Sequence, residues 1–209
     1  MTCSLLAFLA NSLTLYIFVS TRSLHTPFNI YLMFVLTFNI INAVVVCPLD
    51  TLAVLYPHWI FGSKMCTAYL YLVWMTQGVI PHTHLLISLN RAWAVIFPHS
   101  YRRRMSVKLS MGSCVGLVVY TNVMILPLIV LDAIQYRVDE LENGCEVNIL
   151  AAGGLGAATQ YIMYDFPIAM VILLYPVIAV RFFQLRWRAS KRRVADNVQS
   201  QGQLVQIQT

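Results

Sequence analysis

Apolar positions along the chain are gathered into long blocks, at about 2–20, 28–52, 66–97, 107–131 and 148–183, with short polar stretches between them. Crossing the hydrocarbon of a bilayer takes about 20 mostly apolar residues at 1.5 Å of rise each. Each block meets that length, and the last is long enough to project beyond the membrane. The pattern predicts an all-α integral membrane bundle of five transmembrane helices. The connection "TRSLHTPFN" is short, so the first two helices are antiparallel neighbours. Thr26 followed by Pro27 reads as an N-cap and first-turn proline. Pro48 should kink or end the second helix, and Pro167 should bend the fifth. Residues 194–209, ending in "QSQGQLVQIQT", are polar and predicted to be a disordered tail.

Composition strengthens this picture. Of 209 residues, 59% are hydrophobic and 11% charged, and mean hydropathy is +0.70. A soluble domain of this size could not cover its surface with so few polar groups. Charge adds direction. Arg22, Arg91, Arg102, Arg103, Arg104, Lys108, Arg181, Arg186, Arg188, Lys191, Arg192 and Arg193 all fall on one side of the expected bilayer, and only Lys64 and Arg137 on the other. The positive-inside rule puts the N-terminus outside and the C-terminus in the cytoplasm of a multi-pass plasma-membrane protein. The basic end reads as an anchor beside anionic membrane lipid rather than a nucleic-acid site. The first apolar run lacks a basic n-region and is long, which argues against a cleaved signal peptide.

Cys66 to Arg91 is 25 residues, about 38 Å of helix, so the two mark opposite faces of the membrane. Of the five cysteines, Cys66 and Cys145 lie outside the apolar cores on the extracellular side, where thiols oxidise; the reading is a Cys66–Cys145 disulfide. Cys3, Cys47 and Cys114 read as thiols packed within the membrane. Asn11 and Asn39 are mid-membrane amides that should face other helices, and Asp165 is ionisable at membrane depth. The loop "DAIQYRVDELENGCEVN" carries Asp132, Asp139, Glu140, Glu142 and Glu146, read as a solvated acidic loop able to attract cations. His82 and His84, two residues apart on a helix, point about 200° apart and cannot chelate one ion. "AAGGLGAA" lacks the lysine of a phosphate loop and reads as a close-packing stretch. No catalytic constellation, metal set or cofactor motif is found, so an enzyme is not expected. A transporter would usually need intramembrane charges and paired repeats.

Taken together, these residues resemble a rhodopsin-like (class A) G-protein-coupled receptor over its first five helices. Asn11 matches the family's helix-1 asparagine. "LHTPFNIYL" is similar to the first intracellular turn; ten residues on from Asn29 stands Asn39, where the family usually carries an aspartate, and nine further is Pro48. "WIFGSKMC" resembles the extracellular Trp-x-Phe-Gly…Cys motif. Arg91 occupies the place of the Asp/Glu-Arg-Tyr arginine, flanked here by Asn90 and Ala92; Pro98 stands seven positions later, and Pro167 and Tyr175 match the helix-5 pair. Helix 4 has Leu117 or Val118 near the usual tryptophan, and Pro81 is unusual in helix 3. The run "HLLISLNRAWAVIFPHSY" is similar to divergent invertebrate chemoreceptors. No further spanning run comes after Arg193, so the expectation is a receptor domain over 1–193 without helices 6 and 7 and their motifs.

The resemblance implies an extracellular ligand bound in the bundle and a heterotrimeric G protein met by Arg91, with Asn90, Ala92, Pro98 and Tyr175 in the coupling and activation region. It implies a pocket lined by Val73, Trp74, Gln77 and Gly78 of helix 3 and by Thr159, Gln160 and Met163 of helix 5. Val73 stands where amine receptors carry an aspartate, which argues against an amine ligand. The alternatives are a truncated, non-signalling fragment that associates with a full-length receptor and, behind it, a small transporter. Peptide mapping without reductant is expected to return Cys66 and Cys145 in one linked peptide; two free thiols would contradict the pairing.

Overall fold

A computed structural model describes residues 2–56, 58–137 and 144–207. Helices account for nearly all of them, and no strand occurs among the described residues. Helix α1 (Thr2–Ser20) is followed by a 3-10 turn, Arg22–Leu24. Helix α2 (Pro27–Leu55) contains one π turn, Asn42–Val46. Helix α3 (Gly62–Ile96) is continuous, and the short α4 (Pro98–Arg104) comes at once after it. Helix α5 (Val107–Leu131) runs into a π turn, Asp132–Tyr136. Helix α6 (153–207) joins Gly153–Gln160, a π turn Tyr161–Asp165 and Phe166–Ile207 in one rod.

Among the described residues, four segments are long and apolar enough to cross a membrane: Thr2–Ser20, Pro27–Leu55, Val107–Gln135 and Gly153–Arg188. At 35 residues α3 is also long enough, but it is more polar. Its position explains this. It packs against α2, α5 and α6, whereas α1 packs chiefly on α2 and buries no residue. A helix enclosed by protein can carry hydroxyls and amides that hydrocarbon would reject. Thr76, Thr83 and Ser88 are buried on α3, and each hydroxyl donates to a carbonyl one turn back: Leu72 at 2.9 Å, Val79 at 2.7 Å and His84 at 2.9 Å.

Small residues set how closely the helices approach. A Cβ on Gly78 of α3 would lie 3.2 Å from Thr121 Cγ2 and 3.4 Å from Ile125 Cδ1 of α5, and 3.7 Å from Met163 Sδ of α6. A Cβ on Gly156 would meet the Ile149 carbonyl oxygen at 2.6 Å, so the first turn of α6 closes on its lead-in only with glycine there.

Of the kink or end expected at Pro48, the end does not occur: a π turn, Asn42–Val46, precedes the proline and the helix runs on to Leu55. Two expectations are corrected. The polar end is helical to Ile207, because residues 177–201 hold no proline or glycine and are rich in Arg, Gln, Ala and Leu, which favour helix. Asp132 is not a solvated loop acid. It is 0% exposed, accepts from Arg137 Nε at 3.0 Å and Nη2 at 2.9 Å, and accepts from the Asn148 backbone N–H at 2.9 Å. Arg137 also donates to Thr67 Oγ1 at 2.8 Å, next to Cys66. Asp139, Glu140 and Glu142 lie outside the described residues; Glu146 is exposed.

Replacing Asp132 with alanine strands Arg137, whose side chain is 6% exposed. Removing one partner of a buried pair costs about 3–5 kcal/mol. The variant is expected to unfold at markedly lower temperature in detergent, while the Arg137→Met, Asp132→Leu double variant recovers much of the loss.

Candidate functional site

The candidate site is the axis of α3, with the Cys66–Cys145 bond at one end and Arg91 at the other. The bond spans 79 residues of sequence and holds Cα atoms 5.7 Å apart. Both cysteines are buried beside Trp59, Tyr69 and Leu70. Trp59 stacks on Tyr69 with ring centres 5.0 Å apart, its Nε1 donates to Gly62 O at 3.1 Å, and Tyr69 Oη donates to Asp50 of α2. With the Asp132–Arg137–Thr67 chain, these contacts tie the first turns of α3 to α2, α5 and the lead-in to α6. Nothing in the spacing of the sequence pairs Asp132 with Arg137, which looked like members of a polar loop.

Between the ends, α3 and α6 are pressed together. Trp74 meets Tyr164 edge-on at 5.4 Å, and Tyr164 Oη donates to the Trp74 carbonyl at 3.3 Å. Trp74, Thr159 and Met163 are buried; Met163 is 0% exposed, packed toward Gly78. These three are enclosed by protein, because Gly78 leaves the hollow that Met163 fills. Val73 and Gln160 are half-buried and Gln77 is exposed. Gln77, His84 and Arg91, seven residues apart, form an exposed row along α3. Tyr164 was absent from the sequence-derived set; its only signal was its place one residue after Met163.

On the other side, Asn39 Nδ2 of α2 donates to Asn11 Oδ1 of α1 at 3.2 Å, while Asn11 Nδ2 donates to Ala7 O at 2.6 Å. The amides thus satisfy each other across the α1–α2 seam. Pro167 is fully buried, and the π turn at Tyr161–Asp165 directly precedes it. Asp165 and Tyr175 lie on the exposed side of α6.

At the far end, Arg91 is exposed and its guanidinium carbon lies 3.4 Å from the centre of the Phe28 ring. Phe28 sits in the first turn of α2, held from several sides. Pro27 opens the helix, Asn29 N–H donates to Thr26 Oγ1 at 3.3 Å, and Asn29 Nδ2 donates to Leu24 O at 2.7 Å. His25 Nε2 lies within hydrogen-bond distance of the Phe18 and Val19 carbonyls, at 3.1 and 3.2 Å. Phe28 therefore presents a fixed aromatic face. Asn90 is 5% exposed, and neither side-chain polar atom has a partner among the described residues. Ala92 is buried, and Pro98 is the first residue of α4. The sequence reading missed Phe28, 63 positions from Arg91, since only the packing of α2 on α3 brings them together.

Residues 10–208 match the 7 transmembrane receptor (rhodopsin family). The chain belongs to that family. Curated relatives agree: it is 30% identical to Dopamine receptor 2 of Drosophila melanogaster over 126 residues, 57% of this chain and 22% of the receptor. It is 22% identical to a G0-coupled rhodopsin of Mizuhopecten yessoensis over 182 residues, 84% of this chain and 45% of that one. It is 23% identical to muscarinic acetylcholine receptor M5 of Rattus norvegicus over 202 residues, 95% of this chain and 36% of the receptor. The chain thus spans less than half the length of these relatives. It is a multi-pass plasma-membrane protein of a receptor family, not an enzyme family.

A cation over an aromatic face gains about 0.5–1 kcal/mol where exposed. Phe28→Leu is expected to leave the fold intact and release Arg91. The guanidinium resonance of Arg91, shifted by the Phe28 ring current in the native chain, should move to the position of the other exposed arginines in NMR of labelled protein.

Proposed function

We propose that the chain acts as a G-protein-coupled receptor that takes an extracellular ligand at the Cys66 end of the bundle and engages a heterotrimeric G protein at the Arg91 end. The observation that carries this reading is the α3 axis: one continuous helix, locked at Cys66, bears Arg91 25 residues away. The charge asymmetry, with its basic residues gathered at the Arg91 end, supports the orientation.

On the ligand side, Val73, Gln77 and Gln160 are the pocket candidates left accessible, with Trp74, Thr159 and Met163 shaping the wall from behind. Helix α3 contains no Asp or Glu along its 35 residues. An ammonium group at membrane depth needs a counter-charge, and α3 offers none. Helix α3 therefore does not favour an amine ligand, whatever the names of its relatives.

On the transducer side, Arg91 has no acid to hold it among the described residues. Its guanidinium rests on Phe28, and Asn90 supplies no charge. An incoming carbonyl or carboxylate offers a charge-assisted hydrogen bond, which is stronger than the ring contact it displaces. This favours basal coupling. Membranes containing the chain, mixed with purified G proteins of each class, are expected to accelerate nucleotide exchange over empty membranes without added ligand. Arg91→Ala should lower that rate roughly tenfold, the equivalent of about 1.4 kcal/mol. Exchange no faster than in empty membranes with every G protein would overturn the reading.

A further inference from the structure

A groove runs between α3 and α5, on a different face of α3 from Gln77, His84 and Arg91. Four residues of α3, from His82 to Leu89, and four of α5, from Ser113 to Tyr120, line a hollow of about 240 Å³. In each set the spacing is i, i+3, i+4, i+7, which is one face of a helix. The helices are antiparallel, so the two faces lie side by side over about 10 Å. His82 meets Tyr120 at one end, with ring centres 5.5 Å apart. Gly116 opens the middle: a Cβ there would meet nothing within 4 Å. Leu89 is 44% exposed and Tyr120 39%, on helices of spanning length, so the groove faces hydrocarbon.

Two polar groups in this apolar groove lack partners. His82 is 8% exposed, and its Nδ1 lies 2.9 Å from the Gly78 carbonyl oxygen. A carbonyl only accepts, so Nδ1 carries the hydrogen. In the neutral ring Nε2 is then an acceptor, and it has no hydrogen-bond partner among the described residues. The Tyr120 hydroxyl, on the adjoining ring, has none either. Hydrocarbon supplies neither donor nor acceptor. A molecule with one hydroxyl answers both groups: its O–H donates to His82 Nε2 while its oxygen accepts from Tyr120 Oη. Depth and size narrow the class. His82 stands nine residues before Arg91, about 13.5 Å up the axis from the cytoplasmic edge, and so near the middle of a ~30 Å core. Phospholipids and sterols hold their polar groups at the interface and cannot bring a hydroxyl to that depth. An apolar cavity of about 150 Å³ holds benzene, so this hollow suits a single substituted ring rather than a fused ring system.

We propose that the groove is a binding site for a small uncharged phenol that arrives through the bilayer. Its hydroxyl is held between His82 and Tyr120, and its apolar body lies over Gly116 toward Leu89. A charged amphiphile is excluded by the depth of the polar pair. The site is separate from the bundle interior at Val73, Gln77 and Gln160. It touches α3 one turn from Gly78, whose close approach to Thr121, Ile125 and Met163 joins α3 to α5 and α6. An occupant therefore braces the α3–α5 seam from the membrane side.

The test uses the full chain in phosphatidylcholine nanodiscs and a diazirine-bearing alkylphenol, with adducts located by mass spectrometry. Adducts are expected on α3 between Leu85 and Leu89 and on α5 between Ser113 and Tyr120. Unlabelled propofol should displace the probe. Its methyl ether, which cannot donate to His82, should need a roughly tenfold higher concentration. His82→Phe keeps a ring against Tyr120 and should abolish that difference. His84→Phe, two positions on and pointing away from the groove, should preserve it. Gly116→Leu enters open space, so it should fill the hollow and abolish the adducts without disturbing the fold. Circular dichroism and the intact Cys66–Cys145 bridge verify that each variant is folded. Phenol and ether competing equally in the native chain would overturn the proposal, as would a preference that survives His82→Phe. Adducts spread evenly over Val115, Val119 and other lipid-facing positions would overturn it in favour of partition into the bilayer only. Labelling does not depend on nucleotide exchange, so it fails or succeeds separately from the receptor reading.

Discussion

The covalent tie between Cys66 and Cys145 sets the position of everything along α3. It closes a loop of 79 residues, and in the chain-entropy account such a loop contributes about 4–5 kcal/mol. Its larger effect is positional. The bond lies beside a fully buried carboxylate, Asp132, whose two oxygens are taken by Arg137 and the Asn148 N–H. Arg137 reaches Thr67 in the turn that bears Cys66. A buried ion pair of this kind is poor at raising stability but strict about geometry, since any misplacement leaves a charge without its partner. Bond and ion pair together fix the height and rotation of α3 against α5 and α6.

From that fixed end the rest of the bundle is arranged by packing. Gly78 admits Thr121, Ile125 and Met163 to one junction, and Trp74 and Tyr164 close the layer above it. Polar atoms inside are satisfied locally: threonines and serines bond one turn back, and Asn39 bonds Asn11 across the seam. The bilayer makes this necessary, because no water in the hydrocarbon can satisfy what the protein leaves open. Proline is handled the same way. The π turns at Asn42–Val46 and Tyr161–Asp165 precede Pro48 and Pro167, so wider turns absorb the missing donors while each helix continues.

How much of this was legible in the sequence depends on whether the signal was local. Helix positions were, because hydrophobic runs of spanning length leave few alternatives; the first four expected runs end within four residues of observed helices, whereas the fifth, expected over 148–183, is helical from Gly153 to Ile207. The disulfide was, because only two cysteines lie outside the apolar cores on the extracellular side. The partners of charged groups were not. Asp132 and Arg137 read as loop residues, since their burial comes from Thr67 and Asn148, distant in sequence. The tail was misread for another reason: low hydrophobicity was taken as disorder, although the absence of proline and glycine from 177 to 201 leaves the helix of α6 free to continue. Within the candidate pocket, composition could place Trp74 and Met163 on the correct helices. It could not tell a residue facing a hollow from one filling it.

The two ends of α3 are held by interactions of very different strength. At Cys66 there is a covalent bond, a buried ion pair and a stacked aromatic pair. At Arg91 there is one guanidinium on one ring, beside an asparagine with no partner among the described residues. An unpaired buried amide costs about 1–3 kcal/mol, so the arrangement at Asn90 and Arg91 is disfavoured locally and tolerated only because the far end and the middle of α3 are fixed. Any rearrangement that gives Asn90 a partner, or gives Arg91 a charged acceptor, lowers the energy at this end without disturbing the other. The fold thus concentrates its freedom to move where the basic residues gather. With an acid in place of Asn90, Arg91 would have a charged partner beside it, and the same helix would be held firmly at both ends.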